Sequence, residues 1–158
     1  NGIKYIFVPH EPSEKLIKNI ESKLIELQIS SCRYSDLNIK DDDYVIIIDT
    51  VGILPELYSY STISYIGCGF GKGVHNVIEP AAYGSLICFG PNYHILDEAI
   101  EMVEKKLAFI VNTSDELTDM INNIYHDNYI KQKSQQIKNY INSKSESSDL
   151  IINEILQA

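Results

Sequence analysis

The segment from Gly67 to Gly73 has the residue types needed to hold a phosphate group. It reads Gly-Cys-Gly-Phe-Gly-Lys-Gly, with a glycine at every second position and one lysine. Glycines let a backbone approach a ligand closely, and such a run does not suit the interior of a strand. The spacing differs from the dinucleotide fingerprint, and Lys72 lacks the following Ser or Thr of a P-loop. A tight turn without a ligand therefore stays open as an alternative.

The next residues, His75-Asn-Val-Ile-Glu-Pro80, predict the start of a helix directly after this loop. Proline is tolerated in the first helical turn and not deeper, so Pro80 marks the start. A helix N-terminus offers free N–H groups and about half a positive charge, which favour a phosphate. Lys72 adds a full charge, and Glu79 is an acceptor suited to the hydroxyls of a ribose. Alternatively, Glu79 is an acid that only stabilises the first turn.

Other reactive residues have weaker patterns. His75 and Glu79 are four residues apart, but no third ligand has a suitable spacing, so we expect no metal. His10 follows the first apolar run, and on its own it is more typical of a structural or solvated histidine. Three cysteines without a CxxC pair indicate reduced thiols in the cytoplasm. We expect Cys68 to be a small packing residue.

Strand and helix patterns alternate along the chain. Apolar runs predict six strands, at 3–8, 30–34, 44–48, 63–66, 86–89 and 108–111. Helical patterns occupy 13–28, 52–60, 79–83, 95–105, a segment capped by Thr113 and Glu116, and 128–142, with a polar linker at 143–149 before a last short helix. This alternation predicts an α/β domain with a parallel sheet. Ligands of such sheets bind beyond the carboxyl ends of the strands, which selects the loops after residues 8, 48, 66 and 89.

Length and charge restrict the function classes. A chain of 158 residues that is 44% hydrophobic can bury the core of one domain. Its net charge of −9 argues against binding of bulk nucleic acid, but not against one small anionic molecule. No apolar run approaches the roughly 20 residues that span a bilayer. The chain starts at Asn1 without Met, so we expect a domain cut from a longer protein.

Three motifs in order carry a family resemblance. They run from Asp49-Thr50-Val-Gly52 to Tyr58, from Ser64 to Ala82 through His-Asn-Val-Ile-Glu-Pro, and over Gly90-Pro91-Asn92. Together they resemble the C-terminal half of the 3-deoxy-D-manno-octulosonic acid (Kdo) transferases, which are lipopolysaccharide enzymes of Gram-negative bacteria. The residues Gly-Cys-Gly-Phe-Gly-Lys-Gly-Val-His-Asn at 67–76 and Pro-His-Glu at 9–11 are most similar to the Bacteroidetes branch of the family. The similarity is dense over 44–94 and looser on either side.

The resemblance implies a GT-B glycosyltransferase of inverting mechanism, in which two Rossmann-like domains face each other. The C-terminal domain binds the donor CMP-Kdo. The N-terminal domain binds the acceptor, a lipid A precursor, and carries the catalytic base. This chain then comprises only the donor half, a Rossmann-like three-layer domain with a six-stranded parallel sheet over 1–126. C-terminal helices at 127–158 would pack on it or cross to the missing domain. The fragment would be soluble and inactive alone, and the full-length protein would associate with the cytoplasmic face of the inner membrane.

The resemblance also assigns site residues. Asn76 and Glu79 match the residues that hold the cytidine nucleotide, with Glu79 at the ribose. His10 stands where many members have an arginine near the phosphate. Gly52 and Ile53 match a loop that lines the nucleotide pocket. The predicted donor-binding set is His10, Gly52, Ile53, Gly69, Phe70, Gly71, Lys72, Gly73, His75, Asn76 and Glu79.

No catalytic residue, metal or cofactor is expected within this chain. Two other functions are also compatible with the sequence. One is a GT-B donor domain that uses a UDP- or GDP-sugar. The other is a non-catalytic Rossmann-like binding module.

Overall fold

The computed structural model describes residues 3–36, 44–124 and 127–157, without the side chains of 127 and 145–157. It divides the chain into two compact units, Asn1–Leu54 and Pro55–Ala158.

The first unit is a small parallel sheet covered by one long helix. Its elements are β1 (Tyr5–Phe7), α1 (Glu14–Glu26), β2 (Ser31–Arg33) and β3 (Val45–Ile47). The strands pair in the order β1-β3-β2. The side chain of Ser13 caps α1 by accepting the Leu16 N–H, as Ser and Thr commonly do at helix starts. Ile17 of α1 packs on Val45 and Ile47, and this contact forms the core of the unit.

The second unit holds the other three strands, also parallel, in the order β4-β5-β6. The strands are β4 (Ile63–Ile66), β5 (Leu86–Phe89) and β6 (Ala108–Ile110). The helices are α2 (Leu54–Leu57), a 3-10 turn (Tyr58–Tyr60), α3 (Ile78–Ala82), α4 (Asp97–Glu104), α5 (Ser114–Ile124) and α6 (Asp127–Gln157). All four residues of β5 are buried, as the apolar pattern of a central parallel strand predicts.

Helix α6 contributes side chains to the core of the second unit. Ile137 and Tyr140 of α6 are buried in the cluster that contains Val77 and Phe89. The Tyr140 hydroxyl donates to a carboxylate oxygen of Glu101 at 2.9 Å, which ties α6 to α4. The first half of α6 is thus an integral part of this unit.

The structure corrects three predictions. Among the described residues, the six strands form two three-stranded sheets and not one six-stranded sheet. Apolar patterning locates strands, but pairing depends on backbone hydrogen bonds that no periodicity encodes. The linker at 143–149 is also wrong, since α6 runs through it. Thr113 does cap α5 by accepting the Glu116 N–H, but the Glu116 carboxylate accepts from the N–H of Asn112 instead of that of Thr113.

Candidate functional site

The glycine-rich loop between β4 and α3 is tied to the loop that follows β5. Asn92 in the second loop makes three hydrogen bonds to it. Its backbone N–H donates to the Gly69 carbonyl at 2.8 Å, and its side-chain Nδ2 donates to the Gly71 carbonyl at 3.1 Å. Its own carbonyl accepts the Val74 N–H at 3.1 Å. These bonds fix the beginning, the middle and the end of the glycine-rich loop.

Two of the glycines are required by the loop structure itself. A Cβ on Gly69 would lie 2.4 Å from the backbone nitrogen of Gly90, so the two loops touch backbone to backbone. Gly73 has a φ of +105°, a left-handed conformation that favours glycine. Gly71 has no such constraint, because a Cβ there would find its nearest neighbour, the Cys68 carbonyl, at 3.8 Å. Close approach to a ligand is therefore not needed to explain Gly69 and Gly73.

The helix after this loop begins where the sequence predicts. α3 starts at Ile78, and Gly84, just beyond its end, has a φ of +79°, as expected of a helix stop. The expectation of free N–H groups at its start is corrected, however. The Asn76 Oδ1 accepts the N–H groups of Ile78 and Glu79, at 3.1 and 3.3 Å. Because α3 has only 5 residues, its dipole is also small.

The polar candidates of this unit are accessible to a ligand. Lys72, His75 and Glu79 are exposed, and the Phe70 ring is 58% exposed although one edge lies near Gly90. Burial raises the pKa of the Tyr58 hydroxyl, and the negative charge of Glu79 raises it further. An acceptor, a cation and an aromatic ring are the group types that a nucleotide needs.

The first unit holds the remaining candidates, His10, Gly52 and Ile53. His10 is exposed at an open cleft of about 480 Å³. The cleft is lined by His10, Glu11, Pro12, Ser13, Asp49, Thr50 and Val51. Gly52 and Ile53 directly follow this lining in the chain, and Gly52 has a φ of +91°. The cleft therefore presents two carboxylates and one imidazole.

Asp49 shapes one wall of this cleft. Its carboxylate accepts the Ser35 N–H at 3.1 Å and the Ser35 hydroxyl. These bonds lower the pKa of Asp49. The carboxylate thus joins the loop after β2 to the loop after β3.

Sequence reasoning missed two residues near the candidate site: Tyr58, whose hydroxyl is affected by the charge of Glu79, and Asn92, which binds the glycine-rich loop. Tyr58 and Asn92 both lie within the family motifs, but neither received a role. Asn92 had one signal, its position after Gly90-Pro91 at the end of a strand.

Within the described part of the chain, no group of three or more His, Cys, Asp or Glu side chains is arranged to hold a metal ion. No helix among the described residues is both long and apolar enough to cross a membrane.

Comparison with known proteins supports the resemblance. The chain is 30% identical to a 3-deoxy-D-manno-octulosonic acid transferase of Rickettsia bellii, over 96% of this chain and 36% of that protein. It is 33% identical to the 3-deoxy-D-manno-octulosonic acid transferase of Aquifex aeolicus, over 87% of this chain and 39% of that protein. No family model matches the chain.

The fold also has a solved counterpart. The crystal structure of the C-terminal CMP-Kdo binding domain of WaaA from Acinetobacter baumannii aligns with a TM-score of 0.73 and 20% identity. The alignment covers 84% of this chain and 70% of that one. In sequence the chain is thus a relative of the 3-deoxy-D-manno-octulosonic acid transferases, and it spans a little over a third of the length of those it matches.

Proposed function

We propose that this chain is the donor-binding domain of a glycosyltransferase that transfers Kdo from CMP-Kdo to a lipid A precursor in lipopolysaccharide biosynthesis. One observation carries the proposal: nearly the whole chain matches Kdo transferases in sequence. The fold, which is that of a domain described as binding CMP-Kdo, agrees with it. For the full-length protein we propose association with the cytoplasmic face of the inner membrane.

In the second unit we assign contacts by chemical type. The exposed carboxylate of Glu79 accepts hydrogen bonds from the ribose hydroxyls. Lys72 supplies positive charge to the phosphate, and the exposed imidazole of His75 donates a hydrogen bond to it. Asn76 supports the site indirectly, because its Oδ1 already caps α3 and so fixes the backbone at Glu79. Gly69, Gly71 and Gly73 shape the loop that presents Phe70 and Lys72.

The proposed reaction needs little covalent chemistry from this chain. The acceptor hydroxyl oxygen forms a bond to the anomeric carbon of Kdo, while the bond from that carbon to the CMP phosphate oxygen breaks. CMP leaves with the electron pair, and a base supplied by the acceptor-binding domain takes the hydroxyl proton. Lys72 stabilises the negative charge on the departing CMP by its own charge, and His75 does so by donating a hydrogen bond. We propose that no metal takes part.

Calorimetric titration with CMP, UMP and GMP tests this function. We expect selective binding of CMP, and no change when EDTA is added. Glu79→Ala should weaken CMP binding about 10- to 100-fold, since it removes charge-assisted hydrogen bonds. Glu104→Ala is the matched control, because Glu104 is exposed at the end of α4. It should bind CMP as the unsubstituted protein does.

The other readings predict different titrations. A preference for UMP or GMP would replace the donor with a UDP- or GDP-sugar. Failure of all three nucleotides to bind, even to the full-length protein, would favour a non-catalytic module. His10, Gly52 and Ile53 stay predictions for the first unit, and His10→Ala in the same titration tests the first of them.

A further inference from the structure

We infer that Asn92 is a positioning residue of the proposed nucleotide site, and that it acts by fixing the part of the glycine-rich loop that meets the phosphate. The inference rests on the proposed function and names a residue outside the predicted donor-binding set. Asn92 makes three hydrogen bonds to this loop.

The places where Asn92 attaches to the loop are informative. Gly69 and Val74 lie at the two ends of the segment, and Gly71 lies in its middle. Phe70 and Lys72, the long exposed side chains of the loop, both lie between these attachment points. The orientation of the peptide at Gly71 therefore sets the direction in which Lys72 leaves the backbone.

The fold does not depend on the hydrogen bond from the Asn92 side chain to the Gly71 carbonyl. The Gly69–Gly90 contact and the backbone bonds of Asn92 already hold the two loops together. The Gly71 and Gly73 N–H groups are satisfied by the Cys68 carbonyl, at 2.9 and 3.0 Å. Asn92 itself is exposed, so water could replace its carboxamide at the Gly71 carbonyl. What water cannot replace is a fixed orientation of that peptide.

A protein whose binding-competent conformation is only partly populated binds its ligand more weakly by that fraction. Losing one exposed hydrogen bond should lower CMP affinity about three- to tenfold. Because Lys72 faces the phosphate in the proposed site, cytidine, which has no phosphate, should bind as before. A merely structural role for Asn92 would affect both ligands alike.

The experiment compares Asn92→Ala with Asn112→Ala in calorimetric titrations with CMP and with cytidine. Asn112 is a matched control: it is exposed after β6, and its Nδ2 donates to the Glu116 carboxylate at 3.0 Å. Hydrogen exchange of the 67–77 peptide gives a readout without ligand. For Asn92→Ala we expect weaker CMP binding, unchanged cytidine binding, an unchanged melting temperature and faster exchange of the loop. Asn112→Ala should change none of these.

Two results would overturn the role of Asn92 while leaving the proposed function intact. One is unchanged CMP affinity in Asn92→Ala. The other is an equal loss for CMP and cytidine together with a lower melting temperature. Failure of the unsubstituted protein to bind CMP is a different outcome, because it refutes the proposed function and the role of Asn92 in it.

Discussion

Replacing Gly69 by alanine tests whether the close contact between two loops is essential to the second unit. The new Cβ would lie 2.4 Å from the nitrogen of Gly90 and 2.8 Å from its Cα. Both are backbone atoms, and Gly90 directly follows the fully buried strand β5. The clash therefore cannot be relieved by turning a side chain, and one of the loops must move.

Inserting a methyl group into a packed site costs about 1–3 kcal/mol in free energy of unfolding. Because the obstacle here is backbone, we expect the upper part of that range, about 2–3 kcal/mol. For a chain of this length, this corresponds to a fall of about 5–10 °C in melting temperature. The expected loss is large compared with that of an ordinary surface substitution.

Gly71→Ala is the matched control in the same loop. Its Cβ would have no neighbour closer than 3.8 Å, and its φ lies outside the left-handed region. We expect this variant to be about 0.4–1 kcal/mol more stable, since alanine restricts the unfolded chain. Thermal and urea unfolding followed by far-ultraviolet circular dichroism measures both variants. Equal stability of Gly69→Ala and Gly71→Ala would refute the backbone contact as described.

Two further predictions concern titratable groups. Cys68 is exposed and is not the packing residue that the sequence predicts. An aromatic disulfide reagent at mildly alkaline pH should therefore label it in the native protein. Cys88 is buried, which raises the pKa of its thiol to about 12, so it should react only after unfolding. Peptide mass mapping identifies the labelled cysteine, and label on Cys88 in the native protein would contradict this prediction. Hydrogen bonds from Arg33 lower the pKa values of Glu14 and Glu21 below 4.5. The two ion pairs therefore stabilise the folded protein above about pH 4.5, and this stabilisation is lost as the pH falls through the lowered pKa values. The stability difference between the unsubstituted protein and Arg33→Met should therefore shrink in acid, and urea midpoints that differ equally at every pH would argue against this ion-pair network.

Local signals in the sequence were reliable where the structure depends on neighbours in the chain. Thr113 caps α5 as predicted, and α1 begins directly after Ser13, where the helical pattern of 13–28 begins. These features depend on bonds within a few residues, so residue type and spacing predict them. The pairing of strands was not predictable in this way, because each three-residue strand carries too little pattern to select its partner.

In the candidate site too, local features were predictable from the sequence and contacts between distant residues were not. The sequence pointed to the loops after β4 and β5 and to the start of α3. It did not show that Gly69 is a glycine because of Gly90, since those residues are distant in the chain and close only in the fold. Nor did it show that Asn76 caps α3, because a carboxamide that binds a ligand and one that binds a backbone N–H look alike in a sequence.

The place of α6 in the core has a consequence for how the second unit is made. Ile137 and Tyr140 fill space beside Val77 and Phe89, which are synthesised much earlier. On the ribosome, the apolar surface of α3 and β5 must therefore stay uncovered until the C-terminal helix emerges. During that interval the nascent unit exposes the kind of surface that chaperones bind and that promotes aggregation. Translation that stops before α6 should yield an insoluble product, even though β4, β5 and β6 have already been made.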